Sequence, residues 1–209
     1  MTDVITNVSR GFEEGYFQLN HCIYSSIAQS NEIDNVPGSD YLLYKDTKLK
    51  KDQIIFNLHN LFRHCINPLY RKYGNNLALT SVYRNMEVNK LLGGVVNSQH
   101  CYGYAADIVL INGVSSLSLF KWCRANIPQY HQLIWEYPEK GNYSPIANRD
   151  FSWVHISYME GNNYKKNSVS SKDPQMHTRY KNSETYNIGN FTHNIPLIDK
   201  IDFEFNTQY

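Results

Sequence analysis

Ser98-Gln99-His100-Cys101-Tyr102-Gly103-Tyr104-Ala105-Ala106-Asp107 runs from a loop into an apolar stretch, and Trp153-Val154-His155-Ile156 follows further along the chain. Asp107 and His155 each interrupt a segment that otherwise reads as a core strand. A buried acid is costly unless it is paired or bound to a metal. His100 ends a loop that follows Gly93-Gly94, and Gly103 lets the backbone turn sharply before the next strand. Two imidazoles and one carboxylate form a set that can hold one zinc ion and leave a position open for water, the arrangement of catalytic rather than structural zinc.

Working outward, Leu77–Tyr83 and Ala105–Ile111 read as strands, the second delivering Asp107. His131–Tyr137 and Trp153–Tyr158 read as two more, joined by a long loop with Asn, Gly and Pro. The clearest helix runs from about Leu49 to Cys65. Its residues Ile54, Ile55, Leu58, Leu61, Phe62, Cys65 and Ile66 make the stripe of a buried face, and Pro68 should end or bend it. Shorter helices are expected over Leu19–Ala28, over Asn85–Leu92 with Gly93-Gly94 as the stop, and over Leu117–Ala125 with Ser115 or Ser116 as cap. Helices and strands do not alternate in the rhythm of a parallel sheet. The expectation is therefore an α+β fold with a mainly antiparallel central sheet flanked by helices. Residues 1–16 are a weakly patterned lead-in and 17–160 form the domain. Residues 161–209 are a polar extension, irregular over 161–190 and with a final strand near 195–205.

The chain has 209 residues, 42% of them hydrophobic, enough for one sizeable core. A net charge of +1 makes no electrostatic case for nucleic acid or an anionic membrane. No run of 18 apolar residues exists, so no membrane insertion is expected. Met1-Thr2-Asp3 lacks the basic start of a signal peptide, so synthesis in a cytoplasm is expected. The four cysteines are widely spaced with no CxxC pair and are read as free, buried thiols. His21, His59, His64, His131, His177 and His193 are read as surface or satisfied core residues.

Several motifs in order carry a family resemblance. Ser98-x-His100-x-x-Gly103-x-Ala105-x-Asp107 resembles the SxHxxGxAxD signature of zinc D-alanyl-D-alanine carboxypeptidases and related peptidoglycan peptidases, a superfamily that includes the hedgehog signalling domain. Ser81-x-Tyr83-Arg84, Gly93-Gly94 with Asn97-Ser98-Gln99-His100, Gln132-Leu133-Ile134-Trp135-Glu136 and Trp153-Val154-His155-Ile156-Ser157 resemble further elements of that family. Ile33-Asp34-Asn35-x-Pro37 resembles the IDNxP stretch of such domains in phages and prophages. The resemblance covers roughly residues 17–160.

It implies zinc ligands at His100, Asp107 and His155. Some relatives place a glutamate three residues before the last histidine, where this chain has Ser152. The hedgehog-like arrangement puts the acid on the preceding strand, which implies Glu136 as general base, with Asp150 a weaker substitute. The resemblance also implies that Arg84 binds the substrate's carboxylate or polarises its carbonyl. Ser98 and Gln99 would orient ligands or substrate, while Trp153 and Tyr83 are read as core packing.

The implied function is hydrolysis of a peptidoglycan stem peptide or cross-link by a carboxypeptidase or endopeptidase, acting as a monomer. A phage or prophage enzyme released by a holin, or one carried in a virion, suits a chain without a leader. Two other readings stand beside it. One is a hedgehog-like module that keeps zinc without catalysis. The other is a non-haem iron oxygenase, whose first histidine and acid usually lie two apart rather than seven.

Overall fold

In a computed structural model, the structure describes residues 12, 15–38, 41–42, 48–111, 114–136, 152–163, 165–170, 185–188 and 191–194. Seven strands form the main sheet: β3 (Leu77–Ser81), β4 (Ala105–Leu110), β5 (Gln132–Glu136), β6 (Trp153–Ser157), β7 (Lys166–Ser170), β8 (Thr185–Ile188) and β9 (Phe191–Asn194). They lie in the order β3-β4-β6-β5-β7-β8-β9. A two-stranded ribbon, β1 (Tyr41–Leu42) with β2 (Lys48–Leu49), stands apart from it. The pairs β3–β4, β4–β6, β5–β6 and β8–β9 are antiparallel, whereas β5–β7 and β7–β8 are parallel. The fold is thus α+β with a mainly antiparallel sheet, as the sequence implies.

Strand register sorts the side chains into two faces. Ile108 pairs with Val154, and Val154 with Trp135; Ala106 pairs with Ile156, and Ile156 with Leu133. Side chains directly opposite in a ladder share a face and alternate along each strand. These six therefore point one way, and all belong to the core shared with the helices. The other face carries Asp107 opposite His155 and Glu136 opposite Trp153. The polar interruptions seen in sequence are one period-2 face of the sheet.

The helical stripe extends further than its sequence reading. Helices α1 (Leu19–Ile23) and α2 (Ser26–Ser30) replace the single helix expected over Leu19–Ala28, because Tyr24 and Ser25 are extended and Ser25 caps α2 through Ala28 N–H. Helix α3 (Lys51–Leu61) runs into a π turn (Phe62–Ile66) and then α4 (Asn67–Tyr73). Pro68 does not stop it. Proline has no N–H and its ring crowds the carbonyl four residues back. The wide turn, in which Asn67 N–H reaches back five residues to Phe62 O, absorbs that conflict. Helix α5 (Met86–Leu91) is capped by Asn85, and α6 (Ser116–Asn126) by Ser115. Ile54, Leu58, Leu61, Phe62, Cys65 and Ile66 are fully buried against the sheet, together with Leu119 and Cys123 of α6.

Gly103 joins this helical layer to the site. It sits at φ +73°, and a Cβ there would meet Ile54 O at 2.7 Å and Leu58 Cγ at 3.1 Å. Gly93 has a similar φ of +69° but open space around it. Gly103→Ala is expected to cost about 2–4 kcal/mol, from left-handed strain plus overpacking, and Gly93→Ala only about 1–2 from strain. Urea midpoints of the two variants check this. Equal losses would mean that the close approach to α3 is unimportant.

One reading of the tail changes. Residues 161–190 were expected to be irregular, yet Lys166–Ser170 and Thr185–Ile188 are strands. The free edge of β5 supplies ladder partners from Gln132 to Glu136, and such tertiary context outweighs the weak strand preference of Asn, Ser and Lys. The final strand expected at 195–205 lies outside the described residues, as do the 137–151 loop and Asp150. Among the described residues, no helix is long and apolar enough to cross a membrane.

Candidate metal centre

His100 sits in a 3-10 turn, Gln99–Tyr102, that closes with Gly103 in the left-handed conformation and leads into β4. Asp107 lies on β4 and His155 opposite it on β6. The three residues are 3%, 7% and 9% exposed, so each is desolvated. One ligand atom from each lies within 4.8 Å of the others. Asp107 Oδ1 is 2.9 Å from His155 Nδ1 and 3.2 Å from His100 Nε2. Two ligands bound at about 2.0–2.1 Å at a tetrahedral angle would stand roughly 3.3–3.4 Å apart. The observed spacings are close to that requirement.

Protonation fits as well. His100 Nδ1 lies 2.6 Å from Val82 O, which can only accept, so Nδ1 carries the proton and Nε2 offers its lone pair. Burial pushes the His100 pKa down, which keeps the ring neutral and able to ligate. Burial would raise the Asp107 carboxyl, but the two histidines more than reverse this and hold it well below the usual carboxylate range. The donor set is two imidazoles and one carboxylate, a group that fits a divalent cation.

Arg84 is anchored to the cluster. Its Nη2 donates to Asp107 Oδ2 at 2.5 Å and its Nε to Ser81 Oγ at 2.7 Å. The guanidinium thus occupies one carboxylate oxygen while the other faces both histidines. Arg84 remains partly exposed, at 15%. Glu136 is half-buried at the end of β5. By register it lies on the ligand face, diagonal to His155, since Ile134 is the residue opposite His155. Such diagonal neighbours are about 7–8 Å apart, outside direct ligation.

Ser98 is buried and opens the turn that carries His100, its carbonyl accepting from Cys101 N–H. Gln99 points its Nε2 at Met159 Sδ, 3.4 Å away, and its buried Oε1 has no hydrogen-bond partner among the described residues. Ser152 is buried beside Ser116 Oγ, and Trp135 Nε1 donates to both hydroxyls. That places residue 152 on the core face, away from the ligands, and agrees with its exclusion as a base. Tyr83 is core, as expected. Trp153 differs: it is partly exposed and shares the ligand face with Glu136, because it is two residues from His155 on the same strand. That alternation was the signal in the sequence. The carbonyl of Val82 had no such signal, since a backbone acceptor leaves no mark in residue type.

The remaining histidines do other work. His21 Nδ1 accepts from Gln18 N–H, His59 packs on Phe12, His64 stacks on Tyr158, and His131 Nδ1 lies 2.5 Å from Asn162 O. His177 and the side chain of His193 lie outside the described residues. All four cysteines are free and buried, and Cys101 is not among the converging groups.

Two comparisons bear on this geometry. A search of the curated proteins finds no match. Residues 46–137 match the family model described as Peptidase M15, a stretch that holds Arg84, His100, Asp107 and Glu136 and stops before His155. Over residues 46–137 the chain is thus similar to the Peptidase M15 family, and His100, Asp107 and His155 form a group that could hold a metal ion.

Proposed function

We propose that this protein is a zinc-dependent peptidase that hydrolyses peptide bonds in the stem peptides or cross-links of bacterial peptidoglycan. The observation that carries the reading is the meeting of His100, Asp107 and His155 on one sheet face that also bears Glu136. Zinc held there would act as a Lewis acid toward the scissile carbonyl and make a bound water acidic near neutral pH. Glu136 would take a proton from the attacking water as the water oxygen adds to the carbonyl carbon. It then hands the proton to the leaving amine as the C–N bond breaks. Arg84 keeps Asp107 oriented, and its remaining N–H groups serve a substrate carboxylate or carbonyl oxygen, a task that suits a planar guanidinium. Ser98 and Gln99 hold the turn that aims His100.

In this reading residues 17–160 are the catalytic unit and 161–209 an appended segment. The protein acts as a monomer on the wall, after holin-type release or from a phage particle.

Incubating defined wall fragments with the protein, with and without a chelator, and weighing the products by mass spectrometry tests this. Cleavage of one peptide bond, abolished by chelation and restored by zinc, is the expected result. The new terminus tells carboxypeptidase from endopeptidase. Zinc binding without any product would mean a non-catalytic module, and iron with 2-oxoglutarate turnover would mean an oxygenase.

A further inference from the structure

Arg84 lies on a stretch that has left the sheet. Strand β3 ends at Ser81 and α5 begins at Met86, so residues 82–85 have no strand neighbour to fix them. On one side His100 holds this stretch: its Nδ1–H donates to Val82 O, and its carbonyl accepts from Arg84 N–H at 3.3 Å. On the other side stands a single side chain from a segment far earlier in the chain. Asn35 Nδ2 donates to Tyr83 O at 3.0 Å, and Asn35 Oδ1 accepts from Asn85 N–H at 2.8 Å. One amide thus pairs with the residues immediately before and after Arg84, as a neighbouring strand's peptide would.

Asn35 is itself held. It is 5% exposed, and its Nδ2 also donates to Ile23 O at 2.9 Å. Asn85 Nδ2 returns a bond to Asp34 O at 3.0 Å while its Oδ1 caps α5, and Cys22 O accepts from Tyr83 N–H at 2.9 Å. Each of these buried groups would be left unpaired if the others moved. The circuit fixes the backbone from which Arg84 reaches Asp107 Oδ2. Asn35 lies outside the stretch 46–137 that matches the family model.

We propose that Asn35 is a positioning residue that acts on the metal centre through Arg84, so that the 17–38 segment is part of the working site. The inference rests on the peptidase reading only for its activity readout, since metal affinity reports on it independently.

The test is a double-mutant cycle of Asn35→Ala and Arg84→Ala, read both as kcat/KM on a cleaved wall peptide and as zinc affinity by chelator competition. With Arg84 present, Asn35→Ala is expected to lower kcat/KM and zinc affinity about 10–100-fold, the range for outer partners of metal ligands. In the Arg84→Ala background the same change should cost no more than about 2–3-fold, the mark of residues acting as one unit. Equal losses in both backgrounds, or no loss in either, overturn the proposal. Asn35→Asp keeps the acceptor for Asn85 N–H and removes the donor to Tyr83 O, and it replaces Asn35→Ala should the latter not fold. If neither variant folds, Asn35 is a core staple and the proposal fails. A wild-type protein that binds zinc and cleaves nothing refutes the peptidase reading alone; uncoupled zinc affinities refute the Asn35 role alone.

Discussion

Asp107→Ala is expected to abolish zinc binding and reduce peptide hydrolysis to background. Asp107 Oδ1 is the atom both histidines face, at 2.9 and 3.2 Å, and it supplies the only negative charge among the three converging donors. Without it, a divalent cation would face two imidazoles with the Arg84 guanidinium nearby. Zinc affinity should fall by more than about 100-fold, beyond the effect seen for mutations of outer partners. His100→Ala should do the same, since Nε2 is its one free ring nitrogen. Metal content after dialysis against a zinc buffer measures this directly. Stoichiometric zinc in Asp107→Ala would show that the metal sits elsewhere.

The variant expected to separate metal from chemistry is Glu136→Gln. The substitution preserves the size and strand position of the native side chain and removes only its ability to take a proton. Zinc content should stay at one per chain, because Glu136 is not among the converging ligand atoms. Turnover should fall about 10²–10⁴-fold, the usual contribution of a general base, with the loss in kcat rather than KM. Full activity would move the base to another acid, with Asp150 the next to substitute.

Much of this site was readable in the residues because folding leaves a strong mark where a polar group enters an apolar strand. Asp107 between Ala106 and Ile108, and His155 between Val154 and Ile156, stand out by composition alone, since neither could be buried there without a partner. Gly103 was legible for a similar reason: a bend before a strand calls for a residue without a Cβ. Pro68 misled, because its local veto on helix is real but a π turn can absorb it, and nothing in residue type announces that turn. Residues 166–170 misled in the opposite sense, since a polar strand is made by the edge it joins.

Composition and spacing alone mark Asp107 and His155 as polar groups set in core strands, those two strands themselves, and the helical stripe that covers the opposite face. Those are properties of short windows, where side-chain periodicity and the cost of burying charge act locally. The partnership of Asp107 with Arg84, the tautomer set by Val82, the diagonal placing of Glu136 and the clamp by Asn35 came only from the folded chain. Each depends on long-range pairings that residue type does not encode, brought together across 18 to 50 positions by the folded chain.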